Sequence, residues 1–128
     1  MLEKVRYDPS QTVFDSEVEK LATSNPEFIM MVSYPETGSL ILRAAYQKGI
    51  LKSIPWLLSE GLQADNRASL VGNDTSGNYI AAGLEGLAPD LAAGGAAYDA
   101  FREKYLAEYG REPGIYCSNS YDALAVVA

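Results

Sequence analysis

Phe28-Ile29-Met30-Met31-Val32 is an unbroken apolar run held between Pro26 and Pro35, and no other feature of the chain restricts its fold so tightly. Five apolar residues between two prolines are too few for a helix. A continuous rather than alternating apolar run is the pattern of a strand covered on both faces, so it is expected in the middle of a parallel sheet. The run empties into Ser33-Tyr34-Pro35-Glu36-Thr37-Gly38. Residues 36–48 then place Leu40, Ile41, Ala44 and Ala45 on one helix face, open with acidic Glu36, and end with Lys48 before Gly49, a helix C-cap. A second strand at about residues 56–58, Trp56-Leu57-Leu58, empties in its turn into Ser59-Glu60-Gly61. Ligands of open α/β sheets bind outside the carboxyl ends of the strands, which makes these two junctions the places to look for a site.

The remainder of the chain repeats the alternation. Residues 2–7 put Val5 and Tyr7 on one face with charges between them, a half-buried strand signal that Asp8-Pro9-Ser10 breaks. From Asp15 as N-cap, Val18, Leu21 and Ala22 recur at helical spacing until Asn25-Pro26 ends the segment. Residues 65–70 suit one or two helical turns, residues 72–78 a polar loop, and residues 79–86 a further strand. Residues 96–109 read as a helix capped by Gly110, its Tyr98, Phe101, Tyr105 and Tyr109 spaced as a core-facing stripe. Glu112-Pro113-Gly114 breaks the chain, and residues 121–128 begin a last helix. Strands alternating with helices imply an α/β fold, a mostly parallel sheet with helices on both faces, within one domain by length.

Composition narrows the chemistry. The chain has 10 basic against 17 acidic residues, a net charge of -7, and no cluster of Lys or Arg longer than a dipeptide, so nucleic acid is not expected as a partner. It has no histidine, which removes the usual general base and the commonest nitrogen ligand of metals. The single cysteine, Cys117, has no histidine to activate it and reads as a structural thiol. The glycines fit no phosphate loop or dinucleotide fingerprint. Hydrolase and metalloenzyme readings therefore lose most of their weight, and no metal or cofactor is expected. No stretch approaches the apolar length of a membrane span, and the N-terminus lacks the apolar core of a signal peptide. Met1 directly before a strand pattern, and a last helix without terminator, read as a piece of a longer protein whose export signal lies upstream.

The order of these features resembles the second lobe of the periplasmic branched-chain amino-acid-binding proteins, the substrate receptors of ABC importers. The resemblance rests on a strand ending in a tyrosine loop at Tyr34, a helix carrying Leu42-Arg43-Ala44 and closing on Gly49, and a strand leading to Ser59-Glu60-Gly61. It continues in Gly86-Leu87-Ala88-Pro89, in Tyr98-Asp99-Ala100-Phe101 through Tyr109-Gly110-Arg111-Glu112-Pro113, and in Tyr121-Asp122-Ala123. It implies that residues 1–128 are an incomplete, Rossmann-like second lobe of a two-lobed type I periplasmic-binding fold, with the first lobe and signal peptide absent. It further implies a small amino acid of branched-chain type, or a related solute, held in a cleft between lobes and delivered to an ABC permease. The location implied is periplasmic or extracellular, a lipid anchor being one way of holding the protein there. By position, Glu60 would take the ligand ammonium, Tyr34 would pack or hydrogen-bond beside it, and Tyr116 would line the side-chain pocket. A lobe cut in mid-sheet would expose strand edges and favour a homodimer.

Without the resemblance, each residue also has a plainer reading. Glu60 is then a solvated loop glutamate, Tyr34 a ring covering the sheet end, and Tyr116 a half-buried packing residue with a wet hydroxyl. The rival functions are a free-standing small α/β enzyme, a flavodoxin-like signalling domain, and the ligand-sensing domain of a receptor.

Overall fold

A computed structural model describes residues 3–62, 84–88 and 94–127 of the chain. It divides into two compact units, residues 1–88 and 89–128, and each is described by itself.

The first unit is built on three parallel strands, β1 (Ile29–Met31), β2 (Trp56–Leu58) and β3 (Glu85–Gly86), in the order β1-β2-β3. Helix α2 (Pro35–Gln47) and the single turn α3 (Ile50–Ser53) carry the chain from β1 to β2, with α1 (Asp15–Thr23) leading in. This is a β-α-β crossover, and the α/β class expected from the alternation is what forms. Ile29 pairs with Trp56 and Met31 with Leu58, so these four buried side chains share one sheet face. The helices cover that face, closing a core of Phe14, Val18, Ile41, Leu42, Ala45, Leu51 and Leu62 together with the strand residues.

Two expectations about the sheet are corrected. Among the described residues β1 is an edge strand and β2 the middle one. The opposite face of β1 is open as well: Phe28, Met30 and Val32 are 55%, 54% and 67% exposed, so the described helices of this unit lie on one face, not both. The apolar run is continuous, but only alternate members of it are buried.

Helix α2 obeys its sequence signals at both ends and departs from them in the middle. Pro35 occupies its first turn, where the missing amide costs nothing, and holds the preceding Tyr34 extended at φ -115°, ψ 163°. Gly49 ends it in the left-handed region at φ 77°, a conformation without steric cost only for glycine. The buried face, however, is Gly38, Ile41, Leu42, Ala44 and Ala45, while Leu40 points away and is 37% exposed. Gly38 fixes that orientation: a Cβ there would collide with a Leu62 methyl and sit 3.4 Å from the Met31 terminal methyl, so α2 settles closest to the sheet at its one residue without a side chain.

Smaller corrections follow the same logic. Residues 3–7 form no strand; Tyr7 instead packs edge-on against Phe14, ring centroids 5.8 Å apart, and its hydroxyl reaches the end of β1. Phe14, not Asp15, occupies the N-cap position of α1, and Asp15 sits in the first turn where a carboxylate suits the helix dipole. Val18 is fully buried with Leu21 and Ala22 packed against the core, as their spacing implies. Helix α3 and a 3-10 turn at Glu60–Leu62 form where only connections were expected. Strand β3 falls at the end of the expected strand 79–86; residues 79–83, the helical turn at 65–70 and the polar loop at 72–78 lie outside the described residues.

The second unit consists of α4 (Ala96–Tyr109), ended by Gly110 at φ 65°, and α5 (Cys117–Val127), which begins four residues before the expected 121. The aromatic stripe does not form a core: no residue of either helix is buried. Its rings instead meet in tilted pairs, Phe101 lying 5.8 Å from Tyr105 and 5.2 Å from Tyr121 of α5, and Tyr105 lying 4.6 Å from Tyr109. The Cys117 thiol donates to the Tyr105 hydroxyl at 3.7 Å, and Arg102 pairs with Glu112 across the turn.

Candidate ligand site at the strand ends

Because β1 and β2 are parallel and in register, the loops that leave their carboxyl ends emerge side by side. The Ser59 amide donates to the Met31 carbonyl at 2.9 Å, carrying the pairing one residue past β2 and bringing Ser33-Tyr34 next to Ser59-Glu60-Gly61. Ser33 is 4% exposed; its hydroxyl accepts from the Tyr7 hydroxyl at 2.8 Å and donates to the Tyr34 carbonyl at 3.4 Å. That carbonyl also accepts the Gly38 amide at 2.7 Å, the first turn of α2.

Tyr34 therefore has a fixed backbone and a side chain that is 71% exposed. The ring lies against Gly61. A Cβ at Gly61 would stand 3.3 Å from the Tyr34 ring and 2.8 Å from the Ser33 carbonyl, so only glycine lets the two loops close to this distance. Glu60, immediately before it, is exposed and opens the 3-10 turn, which the Leu62 amide closes on the Ser59 carbonyl at 3.0 Å and the buried Leu62 side chain anchors in the core. Tyr34 and Glu60 are thus brought to adjoining loops by the strand pairing, an exposed aromatic ring and an exposed carboxylate at the sheet end where open α/β folds bind small molecules. Such a pair suits an ammonium with an apolar neighbour, the carboxylate accepting its hydrogens and the ring covering one side.

Tyr116 belongs to the second unit. It lies in the turn that opens α5, 49% exposed, its carbonyl accepting the Ser120 amide at 3.0 Å. The residues that sequence reasoning passed over are Ser33, Gly61 and Tyr7. Ser33 and Gly61 stand inside the quoted motifs, and a serine directly after a buried strand was the available signal for the first. Nothing in the spacing signals Tyr7, whose hydroxyl meets Ser33 across 26 residues.

Elsewhere in the first unit, a cavity of about 260 Å³ lies at the amino end of β2, among Leu51, Ser53, Ile54, Pro55, Trp56 and Leu84. It is at the far end of the strand from Glu60. Among the described residues no three His, Cys, Asp or Glu side chains are grouped to hold a metal ion, and no helix is long and apolar enough to cross a membrane. No protein-family model, curated protein or solved structure matches this chain.

Proposed function

We propose that the chain is a ligand-binding lobe that captures a small amino acid or related solute, as part of a substrate receptor serving an ABC importer outside the cytoplasmic membrane. The observation that carries the reading is the Tyr34 ring resting on Gly61 beside the exposed Glu60, at the adjoining carboxyl ends of two parallel strands. In the mechanism proposed, Glu60 takes the ligand ammonium and Tyr34 covers it. A ligand bridging two lobes shifts an open-closed equilibrium only by its differential affinity for the closed state. One lobe alone supplies one wall and little exclusion of water, so binding to this chain is expected to be weak.

Titration of the chain with L-leucine and a panel of amino acids, followed through the amide resonances of Ser33, Tyr34, Glu60 and Gly61, tests the reading. Saturable shifts that Glu60→Gln abolishes and Tyr34→Ala weakens are expected. Absence of saturable shifts for every amino acid in the panel would overturn it.

A further inference from the structure

We infer that Tyr7 is a positioning residue for the Tyr34 shelf, acting through Ser33; its bearing on ligand binding rests on the function proposed above. The Tyr7 ring is already accommodated by its edge-on contact with Phe14, for which a phenylalanine would serve equally. The hydroxyl is surplus to that packing, and both polar atoms within its reach belong to the loop: Ser33 Oγ at 2.8 Å, which takes its one proton, and the Val32 carbonyl at 3.1 Å. From there the bonds run on. Ser33 donates to the Tyr34 carbonyl, the same oxygen that receives the Gly38 amide, so one chain of hydrogen bonds links Tyr7 to the first turn of α2 through the peptide that sets the direction of the Tyr34 ring.

Burial gives the chain its consequence. Ser33 is 4% exposed, and without the Tyr7 hydroxyl its Oγ turns to seek another partner. The bond to the Tyr34 carbonyl is the long one, 3.4 Å, and is the first to break when Ser33 turns. The Tyr34 carbonyl then keeps the Gly38 amide but loses the serine that holds it from the strand side, and the ring is no longer held in its seat on Gly61.

The ring's seat can be read without any ligand, because an aromatic ring lying against Gly61 shifts the Gly61 α-protons by its ring current. Tyr7→Phe, which keeps the ring and removes one oxygen, is expected to move those resonances toward their values in a disordered peptide. Ser33→Ala cuts the same chain from the other side and is expected to reproduce the shift, and the double variant to add nothing further, since both remove one coupled unit. Millimolar L-leucine, titrated into each variant, should bind about threefold to tenfold more weakly than into the parent chain, the worth of one hydrogen bond. A variant that only loosened the fold would lower its melting temperature and leave the Gly61 resonances in place. Unchanged Gly61 resonances in both folded single variants would overturn the inference even if leucine binds. Displaced resonances in a chain that binds no amino acid would uphold it and overturn the proposed function alone.

Discussion

Gly61 and Ser59 occupy neighbouring positions and make opposite predictions. At Gly61 the space for a Cβ is already taken by the Ser33 carbonyl at 2.8 Å, and backbone yields less readily than a side-chain tip. Gly61→Ala should therefore destabilise the chain by about 1–3 kcal/mol in urea denaturation, the usual cost of overpacking, and push Tyr34 off its seat. An alanine variant as stable as the parent would mean that the two loops do not close as described. The Ser59 hydroxyl is enclosed, 6% of the residue being exposed, and has no hydrogen-bond partner among the described residues. A buried hydroxyl without a partner costs about 1–3 kcal/mol, so Ser59→Ala should leave stability unchanged or raise it. A clear loss in the same denaturation experiment would require a partner for the hydroxyl. Tyr34 and Glu60 were legible in the sequence because each stands one serine beyond an apolar run, and strand ends are where such folds place ligands. What Gly61 does was not legible, although the residue itself was in view: its smallness matters only because a loop 27 residues earlier in the chain folds against it.

Among the elements, α2 carries the sharpest test of why part of the fold could be read and part could not. Leu40, Ile41 and Leu42 are consecutive, so helical spacing alone permits either leucine to face the core. Leu42 is fully buried and Leu40 is 37% exposed, because Gly38 turns the helix toward the Met31 methyl and Leu62. Leu42→Ala should cost about 2–5 kcal/mol of stability through lost burial and a residual cavity. Leu40→Ala should cost about 0.5 kcal/mol or less, as at most surface positions. Equal losses from the two in thermal or urea unfolding would reverse the assignment of the helix face. The ends of α2 were legible for a plainer reason, since Pro35 and Gly49 act through their own backbones and need no partner. At the carboxyl end the Lys48 ammonium donates to Glu19 of α1 at 2.6 Å, and this bond first, with the Glu19 charge second, holds the lysine above its ordinary value of 10.5. Because the folded-state value is raised, the contribution is complete below 10.5 and is lost as pH climbs from there through the raised value. Lys48→Gln should thus be less stable than the parent chain near neutral pH, by a margin that closes in strongly alkaline solution. Both groups are solvent-exposed and screened by salt, so the margin is small.

For the molecule as a whole, burial is divided unequally between the two units. Every buried side chain among the described residues belongs to the first unit, where Phe14, Val18 and Leu42 are at most 1% exposed. Helices α4 and α5 have none, and α5 leaves Leu124, Val126 and Val127 at 69%, 85% and 81% exposed. Among its described residues the second unit shows tilted ring pairs, the Cys117–Tyr105 hydrogen bond and an exposed ion pair, and aromatic pairs add only about 0.5–1.5 kcal/mol each beyond the area they bury. Isolated helices of this length are marginal in water. The two units should accordingly lose structure at different denaturant concentrations, and the chain carries a reporter that separates them. Its one tryptophan, Trp56, is 7% exposed in the middle strand of the first unit, so its fluorescence follows that core alone. Far-ultraviolet circular dichroism follows the helices of both. In a urea titration the circular dichroism should begin to fall while the Trp56 emission is still native, and the second part of its loss should coincide with the tryptophan transition. Hydrogen exchange should agree, with amides of α4 and α5 unprotected under conditions where those of Ile41, Leu42 and Ala45 exchange slowly. Coincident transitions by both probes would mean that the helices of the second unit draw their stability from the same cooperative structure as the core around Trp56.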